Sequence, residues 1–321
     1  MYTAGNPHSR RILVVRLGAM GDMIHALPAV ASLKQGFTGS QLTWAVEPRW
    51  APLLEGNPFV DRLVFVDRRT RAGLRRAWEE LRAEPFDFAV DFQGLIKSAL
   101  VAAAARADRI YGFSRTQARE PLAALFYSDT VTTSGPHRVD ANLELALAAG
   151  APTAVRSFAL PPGKAEGTLP DAFVLGSPLA GWKSKQWPQG NWARLAERLR
   201  QETGLPLVLN GAPGDGLEHS SSLAGLIEAT RRATAVVGLD SGPMHLAAAL
   251  GKPGVAIFGP TDPAQNGPYG GSLTVLRSPR AVTSYKRRSE IDPSMRDISP
   301  DAVFEALQTR LAHPHTADCL A

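Results

Sequence analysis

Short apolar runs alternate with longer segments of helical period along the first half of the chain. The apolar runs have the length of strands and cover 11–16, 41–46, 62–66 and 86–92. The helical segments cover 22–35, 72–83 and 94–107, with a brief helix at 50–54. The first of these helices is predicted to be amphipathic. Buried strands that alternate with helices predict a parallel sheet with helices on both faces.

The alternation stops at 151–170, where proline, glycine and small residues predict a linker. It then resumes, with strands predicted at 171–176, 205–211, 235–240 and 254–259. Helices are predicted at 191–202, 223–233, 241–251 and 300–312. We therefore predict an α/β fold of two Rossmann-like, doubly wound domains, 1–155 and 156–321, that face a central cleft. The last helix belongs to the second domain or packs back on the first. Ligands are expected beyond the carboxyl ends of the strands.

Composition narrows the class of protein. Of 321 residues, 44% are hydrophobic and 20% charged, which is typical of a soluble globular protein. No run approaches the roughly 18 apolar residues of a membrane-spanning helix, and the first residues lack the apolar core of a signal peptide. Cys319 is the only cysteine, which excludes a disulfide framework and a cysteine metal cluster. A cytoplasmic protein is expected.

The charge favours an anionic partner, since the formal net charge is +5 and the pI about 9.5. Six arginines lie between 62 and 76, with only Asp61 and Asp67 close by, and a second basic group covers 286–288. Such runs are commonly solvated surface. For the first cluster we weigh an anion-binding role equally.

The loop after the first strand, "LGAMGD", combines Gly18 and Gly21 with Asp22. One interpretation is a tight turn in which Asp22 caps the next helix. The other is a functional acid beside glycines that let a ligand approach. The loop is not G-x-G-x-x-G; Glu47 could be the acid of a dinucleotide fingerprint, so a nicotinamide enzyme has weak support.

Two loops of the second half suit anions. Lys183 and Lys185 precede a helix predicted to begin near Pro188, where backbone N–H groups and ammonium charge favour a phosphate. Another strand ends at Asp240, and a helix that opens at 241–242 carries His245 on its first turn. D-x-D, H-E-x-x-H, G-x-x-x-x-G-K-[ST] and G-x-S-x-G are all absent from the sequence, which argues against an obligatory metal, a P-loop and an α/β-hydrolase.

Five segments together resemble the bacterial ADP-heptose:lipopolysaccharide heptosyltransferases of glycosyltransferase family 9. They are "VVRLGAMGDMIHALPAV", "DFQGLIKSA", "AREPLAALFY", "KSKQWP" and "GLDSGPMHLAAALGKPGVAIFGPTDP". The resemblance runs from about 11 to 310 and is strongest to heptosyltransferase I. It implies a GT-B fold and an inverting transfer of L-glycero-D-manno-heptose from ADP-heptose to Kdo of the inner core, on lipid A-Kdo₂, without metal or cofactor.

The resemblance also implies roles for individual residues. Asp22 matches the catalytic base, and Lys185 matches the lysine that holds the diphosphate. The other donor-binding positions are Asp215, Asp240, Ser241, Gly242, Met244 and His245. The acceptor-binding positions are Gly21, Arg68, Arg69, Arg71, Lys97 and Arg119.

The implied partners are ADP-heptose, an anionic glycolipid acceptor and the cytoplasmic face of the inner membrane, to which a basic face docks peripherally. The segment after Asp215 is shorter than the family pattern, which bears on the choice of nucleotide. Two alternatives stay open: a non-catalytic sugar-nucleotide-binding protein, and an enzyme with another donor or acceptor. Nucleic-acid binding is the weakest interpretation, because no recognisable module accompanies the arginines.

Overall fold

A computed structural model describes residues 10–211 and 218–313. The chain divides into two compact units between Ala159 and Leu160, a little after the boundary predicted at 155. Residues 151–170 contain neither helix nor strand. The two ends of this segment are attached to different units. The Val155 N–H donates to Ser32 in the first, and the Lys164 N–H donates to the Ala224 carbonyl in the second.

The first unit is built on a six-stranded parallel sheet in the order β3-β2-β1-β4-β5-β6. Its strands are β1 (Arg11–Val15), β2 (Gln41–Val46), β3 (Arg62–Phe65), β4 (Phe88–Asp91), β5 (Arg109–Phe113) and β6 (Asp129–Val131). Its helices are α1 (Met20–Gly36), α2 (Arg71–Arg82), α3 (Ile96–Ala104) and α4 (Arg138–Ala148), with 3₁₀ helices at Pro48–Leu53 and Pro121–Phe126.

Helices cover both faces of this sheet, as predicted. The alternate side chains Leu13 and Val15 of β1 pack with Leu81 of α2 and Ala102 of α3. Right-handed crossovers place α2, α3 and the 3₁₀ helix Pro121–Phe126 on this face and α1 on the other. There α1 packs against α4.

The first helix differs from its prediction. We predicted an amphipathic helix, but residues 23–33 of α1 are buried without interruption. The reason is α4, which packs along α1 and lies within 108–150, where we had predicted no element. A helix covered by both a sheet and a second helix has no wide polar face.

The second unit repeats the same topology, with a parallel sheet in the order β12-β11-β10-β7-β8-β9. The strands are β7 (Val174–Ser177), β8 (Leu207–Gly211), β9 (His219–Ser220), β10 (Ala235–Leu239), β11 (Gly254–Phe258) and β12 (Leu273–Arg277). The helices are α5 (Gln189–Thr203), α6 (Leu223–Arg232), α7 (Gly242–Ala249), α8 (Pro263–Asn266), α9 (Pro293–Arg296) and α10 (Pro300–Ala312). A 3₁₀ turn covers Lys183–Lys185.

The core of the second unit contains two of the tryptophans that flank the lysine loop. Trp187 and Trp192 meet edge to face, with ring centroids 5.2 Å apart. Phe304 and Leu307 of α10 join the same core cluster. The last helix therefore packs in the second unit, which corrects the alternative in which it returns to the first domain.

Each unit follows the doubly wound order 3-2-1-4-5-6, so the direction of the connections reverses between its first and fourth strands. These switch points lie between β1 and β4 and between β7 and β10. Crevices at such points, beyond the carboxyl ends of the strands, are where doubly wound sheets bind ligands. The predicted fold class of two Rossmann-like domains is thus confirmed.

Among the described residues, no helix is long and apolar enough to span a bilayer.

Candidate active site

Asp22 lies in the first turn of α1, directly beyond β1. The N-cap of this helix is Ala19, and no side chain caps it. Asp22 instead pairs with two arginines: its Oδ2 is 2.6 Å from Nη2 of Arg16 and 3.2 Å from Nη1 of Arg119. The capping interpretation of Asp22 is therefore wrong, and its carboxylate belongs to a charged cluster at the first switch point.

The arginines set the protonation of this acid. Burial raises the pKa of Asp22, but the charges of Arg16 and then Arg119 outweigh burial and hold the pKa well below its usual range. Arg16 is itself buried, and burial lowers the pKa of its guanidinium. Asp22 is therefore ionised at neutral pH and is a weak base while both arginines contact it.

Arg16 also ties the turns after β1 and β4 together. Its Nη1 donates to the carbonyl of Phe92 at 2.5 Å. Beside it, the Leu17 N–H donates to Oε1 of Gln93 at 2.8 Å. Sequence reasoning did not select Arg16; the available signal was a charge that ends an otherwise apolar strand.

Buried Asp91, at the end of β4, organises the neighbouring turn. Its carboxylate accepts hydrogen bonds from the Tyr127 hydroxyl and the Ser98 hydroxyl, both at 2.7 Å, and from the Gln93 N–H at 2.8 Å. Burial raises the pKa of Asp91, and these donors oppose that rise. The network fixes the turn that carries Gln93.

Gly18 makes room for a side chain of the protein. Its φ is +152°, and a Cβ at this position would lie 2.3 Å from Nε1 of Trp50. The space that we expected Gly18 to leave for a ligand is thus occupied by the indole. The indole N–H has no hydrogen-bond partner among the described residues. Gly21 precedes Asp22 in the first turn of α1.

Some of the predicted acceptor residues gather beyond β2 and β3. Glu47 pairs with Arg68 and, at 2.8 Å, with Arg49. These three residues and Arg69 line a cavity of about 350 Å³. Arginines engage both carboxylate oxygens of Glu47. The geometry therefore does not favour the alternative in which Glu47 is the acid of a dinucleotide-binding site.

Lys97 and Arg71 complete the predicted acceptor set. Burial lowers the pKa of Lys97, which stands on the first turn of α3, and the charge of Arg68 lowers it further. Arg71 is the exposed first residue of α2. Two other arginines of the cluster are paired, Arg62 with Glu80 and Arg75 with Glu79. Carboxylates other than the nearby Asp61 and Asp67 therefore neutralise part of the charge of this arginine cluster.

In the second unit, one carboxylate connects the turns that follow three adjacent strands, β7, β10 and β11. Asp240, beyond β10, accepts from Nζ of Lys185, beyond β7, at 2.5 Å. The same Oδ2 accepts from the hydroxyl of Thr261, beyond β11, also at 2.5 Å. Lys185 and Asp240 were both predicted; Thr261 was noted only as part of a turn. The three residues form a cluster at the second switch point in which Asp240 and Thr261 are buried and Lys185 is partly exposed.

The other predicted donor residues follow Asp240. Ser241 is the N-cap of α7 and Gly242 its first residue. His245 is buried, and Met244, 1% exposed, packs at Gly238. The structure therefore presents the start of α7 at the site but keeps the Met244 side chain in the core. Asp215 lies outside the described residues.

The loop beyond β7 is open and basic. Nothing lies within 4 Å of the position that a Cβ would take on Gly181. Nζ of Lys185 stands 4.3 Å from the ring centroid of Trp182. The loop leads into α5, which begins at Gln189 with Pro188 as N-cap, as predicted.

No group of three or more histidine, cysteine, aspartate or glutamate side chains within 10–211 and 218–313 could hold a metal ion. The absence of a metal requirement stays a prediction.

Comparison with known families decides the class. Residues 74–231 and 220–294 match glycosyltransferase family 9 (heptosyltransferase). The chain belongs to this family. It is therefore a glycosyltransferase, as the resemblance implied.

Curated relatives match along most of the chain. Lipopolysaccharide heptosyltransferase 1 of Pseudomonas aeruginosa is 33% identical over 300 residues, covering 84% of each chain. Lipopolysaccharide heptosyltransferase 1 of Escherichia coli K12 is 30% identical over 304 residues, covering 84% of this chain and 94% of its own.

Solved structures of heptosyltransferases share the fold. The E. coli heptosyltransferase WaaC with ADP has a TM-score of 0.76 and 27% identity, covering 93% of this chain and 99% of its own. E. coli ADP-heptose heptosyltransferase II has a TM-score of 0.77 at 23% identity, covering 94% and 98%. The predicted GT-B class is confirmed by these likenesses.

Proposed function

We propose that this family 9 enzyme transfers L-glycero-D-manno-heptose from ADP-heptose to Kdo of the lipopolysaccharide inner core, with inversion at the anomeric carbon. The observation that carries the proposal is a charged cluster at the switch point of each sheet, one centred on Asp22 and one on Lys185. In support, relatives are named lipopolysaccharide heptosyltransferase 1. A similar structure is titled WaaC with ADP-2-deoxy-2-fluoro heptose, at 26% identity and a TM-score of 0.75.

The second unit is proposed to bind the donor. Lys185 and the N–H groups at the start of α7 favour the diphosphate, since ammonium charge and a helix N-terminus both attract anions. As the bond from the anomeric carbon to the phosphate oxygen breaks, its electron pair stays on ADP. Positive charge near that oxygen stabilises the transition state.

The first unit is proposed to bind and activate the acceptor. Arg68 and Lys97 attract its carboxylates, and Asp22 accepts the proton of the attacking hydroxyl. Because Arg16 and Arg119 lower the basicity of Asp22, the proton moves only as the oxygen bonds to the sugar and becomes acidic. Arg119, the exposed partner, is placed to turn from Asp22 to an acceptor carboxylate, which would restore basicity to Asp22.

A membrane surface is the proposed setting of the acceptor. Five large apolar side chains stand exposed on α2, α3 and the 3₁₀ helix Pro121–Phe126, which share one face of the first sheet. This apolar face consists of Leu74, Trp78, Leu100, Leu122 and Leu125. Arg82 lies over the ring of Trp78 at 4.5 Å, and Arg71, Arg75 and Arg76 of the same helix are exposed. Apolar groups bordered by cations suit the anionic cytoplasmic leaflet.

The test is release of ADP when the protein is mixed with ADP-heptose and Kdo₂-lipid A. Asp22→Asn keeps the shape of the side chain but removes its basicity, so we expect it to abolish acceptor-dependent release and retain ADP binding. Asp108→Asn is the matched control. Asp108 is an exposed acid directly before β5, so it lies at the amino ends of the strands, whereas Asp22 lies at their carboxyl ends. Donor binding without turnover in the wild type would favour a non-catalytic binding protein. If only another donor or acceptor supports release, the proposed specificity is wrong.

A further inference from the structure

The basic segment 286–288 takes no part in the reaction proposed above. Hydrogen bonds on either side of it nevertheless attach the chain near the carboxyl ends of the strands of the second sheet, where the donor is proposed to bind. The Ser284 N–H donates to the carbonyl of Pro260 at 2.6 Å, and the Asp292 N–H donates to the carbonyl of Ser184 at 3.2 Å. The segment is therefore held between the turn beyond β11 and the loop beyond β7. Both turns contribute to the Lys185 cluster.

Within this segment, Arg287 is the side chain that reaches the loop. Its Cζ lies 5.5 Å from the ring centroid of Trp182, the same ring that Lys185 approaches at 4.3 Å. Cation–π attraction thus holds two positive groups at one indole. Within the part of the chain that the structure describes, no carboxylate pairs with Arg287.

The two cations differ in how far they are neutralised. Lys185 contacts Asp240 at 2.5 Å, so the carboxylate offsets part of the attraction that the ammonium exerts on a diphosphate. Arg287 has no carboxylate partner within the described residues that would offset its attraction in the same way. A diphosphate gains negative charge as its bond to the sugar breaks, and a cation that is not already paired stabilises it more. A guanidinium also matches phosphate oxygens with two parallel donors.

We propose that Arg287 is a second cation for the donor diphosphate, positioned by Trp182 and acting with Lys185. The proposal rests on the proposed function, because it assumes that a nucleoside diphosphate binds at the start of α7. The guanidinium donates hydrogen bonds to phosphate oxygens of the donor and of the ADP that leaves. It takes no proton and forms no covalent bond.

The test compares Arg287→Gln with Arg288→Gln. Arg288 is the adjacent, exposed arginine and pairs with Asp292 at 3.9 Å, so its substitution removes the same charge from the same segment. The affinity for ADP is measured by titration calorimetry. The value of kcat/KM is measured separately, with ADP-heptose as the donor. We expect Arg287→Gln to weaken ADP binding about tenfold, the loss typical of one hydrogen bond to a charged group. Arg288→Gln should stay close to the wild type.

Two further variants sharpen the result. Arg287→Lys keeps the charge but loses the paired donors, and we expect an intermediate affinity for ADP. Trp182→Leu removes the ring that positions Arg287, and we expect weaker ADP binding with an unchanged melting temperature.

Equal losses in Arg287→Gln and Arg288→Gln would show a general charge effect and overturn the inference. Unchanged ADP affinity in Arg287→Gln, with an active wild type, would also overturn it and leave the proposed function standing. A wild type that binds no ADP would overturn both.

Discussion

The guanidinium of Arg16 and the carboxylate of Asp22 form an ion pair at 2.6 Å, with side chains only 3% and 16% exposed. The pair stands where β1 ends and α1 begins. Because both groups have left water, each depends on the other for compensation of its charge. The pair therefore connects the stability of the first unit to the chemistry of Asp22.

Removal of the Arg16–Asp22 ion pair should lower the stability of the fold. Arg16→Met leaves the Asp22 charge largely uncompensated, and we expect a loss of about 3–5 kcal/mol in the free energy of unfolding at neutral pH. The pKa of Asp22 is lower in the folded protein, so ionised Asp22 stabilises the fold above its unfolded pKa of about 3.9. This contribution is lost as pH falls toward the folded pKa. Urea unfolding at several pH values measures both the loss of stability at neutral pH and the dependence of stability on pH. A variant as stable as the wild type at neutral pH would contradict the prediction.

The pH–rate profile should depend on Arg119. Its charge lowers the pKa of Asp22, so Arg119→Gln raises that pKa and moves the acid limb of kcat/KM to higher pH. Arg115→Gln, an exposed arginine of the same loop, serves as the control and should leave the limb in place. Coincident acid limbs for all three proteins would mean that Asp22 does not govern them.

The hydroxyl of Thr261 should contribute to the donor site through Asp240. Thr261→Val removes a hydrogen bond to a buried carboxylate, and we expect a loss of about 1.5–3 kcal/mol in stability, together with weaker ADP binding as Lys185 loses its fixed position. Thr261→Ser keeps the hydroxyl and should restore both. Thermal unfolding and titration calorimetry measure the two effects. If serine fails to rescue, the methyl group and not the hydroxyl is what matters.

Tyr127→Phe tests the buried network of Asp91. The variant removes one donor, so the pKa of Asp91 should rise further and the fold should lose about 1–3 kcal/mol. An acid with a raised pKa stabilises the fold below its unfolded pKa, and that contribution disappears as pH rises through the folded pKa. The deficit should therefore grow with pH. Tyr111→Phe is the control, because Tyr111 is a buried tyrosine of β5 whose hydroxyl makes no hydrogen bond within the described residues. A deficit that is constant with pH would contradict the prediction.

The apolar face should decide binding to anionic vesicles. Leu122 and Leu125 are 52% and 74% exposed. Replacing both by serine should lower the affinity for phosphatidylglycerol vesicles, measured by cosedimentation, by about a hundredfold or more, since each buried leucine contributes about 1.5–3 kcal/mol and about 1.4 kcal/mol is a factor of ten. Leu147→Ser, on α4 at the other face, should bind as the wild type does. Equal binding by the double variant would exclude this face as the docking surface.

The fold class could be predicted largely because apolar runs of strand length alternate with segments of helical period. The same alternation placed Asp22, Lys185 and Asp240 in loops that follow predicted strands, where doubly wound sheets bind ligands. The missed α4 had mixed composition, and its packing against α1 is a tertiary relationship that no local pattern carries.

The partners within the site were harder to predict. Arg119 is 97 positions from Asp22, and Thr261 is 21 positions from Asp240. Their pairing depends on which strands are neighbours and on the turn that each side chain leaves. Periodicity reports the face of an element but not the side chain opposite it.

The Asp240 cluster has a consequence for the divergence of related enzymes. One carboxylate accepts from Lys185 and Thr261, which follow two different neighbouring strands. A change of Asp240 alone leaves the ammonium of Lys185, whose side chain is only 14% exposed, and the buried hydroxyl of Thr261 without their acceptor. Across an alignment of relatives, we therefore expect these three positions to covary, and a lineage that replaces the acid to have replaced the lysine as well.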